Sequence, residues 1–181
     1  HILTLVFPYV IAYTIPLLVT SLGGLYSERS GVTNLGLEGL MLIGGFSAAV
    51  VINLMHNVVP SGLLIPIGLL IAVVAGILFS LLHAFASITL KADQVISGTA
   101  INMLAAALTI YLARTITGSG NVRVAGIVRN DIPGLSKIPV LGPLFFSQAY
   151  WSTWLVLAIL ILSWILLYKT SFGLRLRACG E

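Results

Sequence analysis

Residues 151–168 read WSTWLVLAILILSWILLY, eighteen consecutive positions without a charge. At 1.5 Å per residue such a helix is about 27 Å long, close to the hydrocarbon thickness of a bilayer. Trp151, Trp154, Trp164 and Tyr168 lie toward its ends, where amphipathic rings favour the membrane–water boundary. Lys169, Arg175 and Arg177 follow at once, and the positive-inside rule places that basic tail in the cytoplasm. This stretch sets the solvent in which the rest of the chain is to be read.

The remainder agrees with it. Of the 181 residues 59% are hydrophobic and 8% charged, with a mean hydropathy of +1.10; an ordinary soluble domain carries about 25% charged residues. Further apolar runs cover 2–25, 34–54, 63–90 and 95–112. The expected fold is all-α: an integral membrane bundle of about five transmembrane helices forming a single permease-like domain. Residues 113–150, rich in Gly, Pro, Ser and Asn, read as an extramembrane loop, and 169–181 as the start of a cytoplasmic region. Pro8 and Pro16 predict a kink in the first span. Alternation from the C-terminal tail puts the 113–150 loop outside, and Lys91, Asp93, Glu28 and Arg29 inside.

The net charge of +4 is spread between apolar spans rather than gathered with aromatics, so no nucleic-acid partner is expected. Cys179 is the single cysteine and cannot pair within the chain. His1, His56 and His83 show no metal spacing, so no metal site is predicted, and His83 is expected to be a packed or interfacial residue. Residue 1 is His, and no basic segment or small-residue cleavage site opens the chain, so no signal peptide is read and the start is expected to lie inside a longer protein. There is no GxxxxGK[ST], HExxH or GxSxG motif and no pair of carboxylates placed for acid–base work. No catalytic residue is assigned, no cofactor is expected on this chain, and any use of ATP must occur on another subunit.

Residues 27–45, SERSGVTNLGLEGLMLIGG, are the least regular part of the apolar sequence, with five glycines beside Asn34 and Glu38. Two readings stay open: a broken or re-entrant helix whose freed backbone groups line a cavity, or close helix packing through small residues, with Gly45 and Ala49 on one face. A carboxylate within hydrocarbon costs several kcal/mol, so Glu38 is expected to face a bundle interior, a polar path or the cytoplasmic interface. Asn102, a turn after Ser97, Gly98 and Thr99, forms a second polar patch, suited to an interhelical hydrogen bond or to lining a solute path. Arg175 and Arg177 suit anionic lipid headgroups or the carboxylates of a partner.

Four ordered segments carry a resemblance that spans nearly the whole chain: SERSGVTNLGLEGLMLIGGFSAAV (27–50), LKADQVISGTAINMLAAALTIYL (90–112), IPGLSKIPVLGPLFFSQ (132–148) and YKTSFGLRLRACGE (168–181). Together the sequence resembles bacterial permease subunits of ABC importers for nucleosides and simple sugars, the branch that includes ribose permeases. The resemblance implies a multi-pass protein of the bacterial inner membrane, working with ATP-binding subunits, a second permease subunit and an external solute-binding lipoprotein. It implies a substrate path near Asn34, Glu38 and Asn102. It also makes Phe172, Gly173, Arg175, Arg177, Gly180 and Glu181 the start of the segment that couples to the ATPase, with 132–148 facing the binding protein. Such permeases continue with further membrane helices. From the residues alone, an ion-coupled carrier or channel with Glu38 as proton relay is the alternative, and a purely structural membrane subunit a third.

Overall fold

The computed structural model describes residues 2–124 and 151–180. Among these residues six α-helices follow in order: α1 (Ile2–Arg29), α2 (Leu37–Met55), α3 (Ser61–Ala84), α4 (Gln94–Thr117), α5 (Trp151–Lys169) and α6 (Ser171–Ala178). A π-helical turn, Phe85–Thr89, extends α3. Among the described residues five helices are long and apolar enough to cross a membrane, and no strand occurs. The protein is an all-α membrane protein, as the hydropathy predicts. Large apolar side chains stay exposed along whole helix faces, as on α3, where Leu70, Val73, Ile77, Leu78 and Leu81 all face outward. In water such a face would be a liability; in lipid it has no cost.

Helix ends differ from those expected. α1 runs through Pro8 and Pro16 as one helix and continues to Arg29, so Glu28 and Arg29 belong to its last turn rather than to a loop. The helix stops where Gly31 takes φ +80, a conformation open to glycine and strained for other residues. α4 likewise extends past Leu112 to Thr117, with Ala113 buried and Gly118 at φ +68 closing the helix. In both places the apolar run ends earlier, at Leu25 and Leu112, whereas the helix continues to a left-handed glycine. The break in the Gly-rich segment falls at residues 30–36; α2 itself is continuous through Gly39, Gly44 and Gly45.

The helices group into two compact units: His1–Gly31 with Val128–Glu181, and Val32–Ile127. In the second unit α2 lies between α3 and α4. Gly44 packs on Ala72, and Gly68 on Ile52, so α2 and α3 run antiparallel. Gly36 meets Gly98 and Gly39 meets Ile101 and Asn102, so α2 and α4 run parallel, as alternate spans must. Ile43, Phe79, Ile101 and Ala105 form the core of this unit. In the first unit α1 and α5 are parallel: Thr14 and Thr153 line one cavity, and the Tyr26 hydroxyl donates to the Ser163 carbonyl at 3.4 Å.

Candidate functional site

The first cluster of predicted residues lies where residues 33–39 cross the start of α4. Asp93 caps α4, its carboxylate accepting from the N–H groups of Val95 at 2.8 Å and Ile96 at 3.2 Å. The next residue, Gln94, accepts from the Thr33 N–H through its side-chain oxygen at 3.0 Å. Two turns on, Asn102 uses both ends of its carboxamide: Oδ1 accepts from the Gly39 N–H at 2.7 Å and Nδ2 donates to the Leu35 carbonyl at 2.8 Å. Asn34 folds back on its own loop, with Oδ1 accepting from the Gly36 N–H at 2.9 Å. Such bonds matter because a helix start leaves N–H groups without an internal partner, and lipid offers none.

Close approach makes those bonds possible. A methyl group at Gly98 would sit 3.0 Å from the Gly36 nitrogen, and one at Gly39 would sit 2.9 Å from both Asn102 Oδ1 and the Ile101 carbonyl. Gln94, Gly98 and Asn102 recur every four residues and form one stripe along α4. That spacing is present in the sequence, but only the register of α2 against α4 makes Gln94 and Gly98 partners of the Gly-rich segment. The structure thus brings Asn34 and Asn102 onto the same stretch of backbone, where their amides hold the break in shape. Glu38 is exposed in the first turn of α2, where the helix N-terminus favours negative charge.

Gly45 faces open space rather than a packed helix. A methyl group there would meet nothing within 4 Å. With Ala49, Phe46, Thr109 and Asn121 it lines a cavity of about 370 Å³ between α2, α4 and the segment after Gly118. Asn53 donates to the Arg123 carbonyl at 2.7 Å and so ties that segment to the end of α2. His83 is buried, as expected of a packed histidine, with Nδ1 2.9 Å from the Ser97 hydroxyl.

The second cluster is the tail after α5. Thr170 forms an elbow: its hydroxyl donates to the Leu166 carbonyl at 2.6 Å and accepts from the Gly173 N–H at 3.3 Å, capping α6. Gly173 is buried against the carbonyls of Leu166 and Leu167, so that any side chain at 173 would strike main chain. Phe172, Leu174 and Arg175 are exposed on α6. Arg177 donates through Nε to the Gly173 carbonyl at 3.4 Å and stacks over Tyr168, 5.3 Å from the ring centre. Lys169 lies 5.7 Å over Trp164. Gly180 ends this element against the end of α1: a side chain there would begin 2.6 Å from the Arg29 carbonyl oxygen. Glu181 and the 132–148 segment lie outside the described residues.

The profile of the family described as the branched-chain amino acid transport system permease component matches residues 6–181. The chain belongs to this permease family. Its similarity to the guanosine ABC transporter permease protein NupQ of Bacillus subtilis is 46% identity over 183 residues, covering 100% of the chain and 57% of that relative. The nucleoside ABC transporter permease protein NupC of Lactococcus lactis is 42% identical over 93% of the chain and 53% of its own length. A putative glucose ABC transporter permease, TsgC13 of Haloferax volcanii, is 34% identical over 91% of the chain and 48% of its own length. The permease chain therefore spans about half the length of the curated relatives it matches. No solved structure matches it significantly.

Proposed function

We propose that the full-length protein is the membrane-spanning permease subunit of an ATP-driven importer, and that its solute is a nucleoside. The observation that carries this reading is the tail: the FGLRLRA motif folds as a separate capped helix directly after an uncharged span, with Phe172 and Arg175 exposed for a partner to grip. A nucleoside is favoured over a simple sugar because the relatives named for guanosine and nucleosides share 46% and 42% identity, against 34% for the one named for glucose.

In this reading the chain is not an enzyme. ATP is bound and hydrolysed by separate ATP-binding subunits that dock on α6, a second permease subunit completes the path, and an external solute-binding lipoprotein delivers the solute at the bacterial inner membrane. Asn34 and Asn102 shape the path by holding residues 33–39, while Glu38 is the polar side chain left free to meet solute or water. Arg175 is suited to a carboxylate of the ATPase.

The test is uptake of labelled guanosine by proteoliposomes holding the full-length permease, its ATPase and its binding protein. ATP-dependent uptake, lost in Glu38→Ala and in Arg175→Ala, is the expected result. Unchanged uptake in both variants sinks the residue assignments, and uptake that follows a proton gradient without ATP replaces the importer by an ion-coupled carrier.

A further inference from the structure

We infer that Lys169 and Arg177 form a binding site for the phosphate of an anionic phospholipid in the cytoplasmic leaflet, set against the aromatic face of α5. Trp164 and Tyr168 are four residues apart and so share a face of that helix, and both rings are exposed, at 53% and 45%. Each carries a cation: the Lys169 ammonium lies 5.7 Å over the Trp164 ring centre, and the Arg177 guanidinium 5.3 Å over that of Tyr168. Rings of this kind settle at the boundary between hydrocarbon and headgroups, so they fix the depth at which the two charges stand. Lipid phosphate lies at that depth. The positive-inside orientation makes this the cytoplasmic face, where anionic lipids give the surface a negative potential.

Helix geometry separates Arg177 from Arg175. At about 100° per residue the two lie about 200° apart around α6, whereas Arg177 is four residues from Gly173 and shares its face. Gly173 is buried against the Leu166 and Leu167 carbonyls, so that face looks toward α5. Arg177 is accordingly half-buried and Arg175 exposed. The Arg177 Nε is committed to the Gly173 carbonyl at 3.4 Å, which leaves the two terminal nitrogens of the guanidinium for a ligand. No Asp or Glu occurs between residues 151 and 180, so nothing in α5 or α6 neutralises the pair. A guanidinium fork beside a compact ammonium matches the oxygens of a phosphate. A zwitterionic headgroup brings an ammonium of its own to the same place, so the site selects for a lipid of net negative charge. Arg175, on the opposite face, stays available to a partner protein, whatever the solute.

Full-length permease in detergent micelles, mixed with equal amounts of dioleoylphosphatidylglycerol and dioleoylphosphatidylcholine, tests this by native mass spectrometry, which counts each lipid retained on the protein. The unsubstituted protein should retain phosphatidylglycerol in preference. Arg177→Gln should reduce that preference about fivefold, the effect of one cation at an anionic bilayer surface, and Arg177→Lys should keep most of it. Arg175→Gln removes the same charge from the same helix and should leave the preference unchanged. Equal losses in Arg175→Gln and Arg177→Gln would reduce the site to a diffuse positive field and overturn the proposal, as would an unsubstituted protein that holds both lipids alike. Where Arg177→Gln does not fold, Lys169→Gln, at an exposed position, decides by the same fivefold loss. Glycerol phosphate, the headgroup without its chains, should not compete at the concentration of the lipid; competition would give the site to a soluble phosphate instead.

Discussion

Asn102 on α4 completes the start of α2: its carboxamide accepts from the Gly39 N–H and donates to the Leu35 carbonyl, at 2.7 and 2.8 Å. One side chain thus satisfies two backbone groups that the broken segment leaves without helical partners. Sites of this kind are costly to empty, because a buried donor or acceptor left unpaired forfeits its full desolvation cost.

Asn102→Leu should therefore destabilise the full-length permease by about 1–3 kcal/mol, chiefly through the N–H of the buried Gly39. The measurement is the thermal unfolding midpoint in detergent. A midpoint equal to that of the unsubstituted protein would show that Asn102 does not hold this segment.

The glycines of α2 should separate into two classes. Gly39→Ala places a methyl group 2.9 Å from Asn102 Oδ1 and the Ile101 carbonyl, and overpacking of this kind costs about 1–3 kcal/mol. Gly45→Ala meets nothing within 4 Å, and alanine is the better helix former by about 1 kcal/mol. Unfolding midpoints should fall for the first and hold or rise for the second; equal losses would contradict the packing described.

Asp93 tests the cap of α4. Asp93→Ala should cost about 0.5–2 kcal/mol, whereas Asp93→Asn retains a side-chain acceptor and most of the stability. Hydrogen exchange at the Val95 and Ile96 amides should quicken in the alanine variant alone.

Ser87, in the π-helical turn, has a buried hydroxyl with no hydrogen-bond partner among the described residues. Ser87→Ala should leave the unfolding midpoint unchanged or raise it, since a polar group without a partner is removed. A loss above about 1 kcal/mol, the net worth of an ordinary hydrogen bond, would reveal a partner for that hydroxyl.

The membrane helices were legible because hydropathy is a property of each segment alone: the charge-free run at 151–168 needs no knowledge of its neighbours. Helix ends were less so. Glu28 and Arg114 drew the boundary toward themselves, although a helix continues through polar residues until a glycine such as Gly31 or Gly118 turns the chain. Asn34 and Asn102 stood out as polar residues in apolar surroundings, but their pairing depends on the register of α2 against α4, which no single-segment pattern contains. The stripe of Gln94, Gly98 and Asn102 held part of that register. The contact between Gly31 and Gly180 joins residues far apart in the chain, and nothing local to either announces it.

The two units also differ in how the ribosome must deliver them. α2, α3 and α4 are consecutive, so each meets its partners soon after it is made. α1 is older than all of them, yet its partner α5 begins only at Trp151. During synthesis α1 is therefore made before α2, α3 and α4, and the Tyr26–Ser163 bond and the Gly31–Gly180 contact close only after all three have been made. Termination before α5 would leave α1 without the Ser163 carbonyl that its Tyr26 hydroxyl meets.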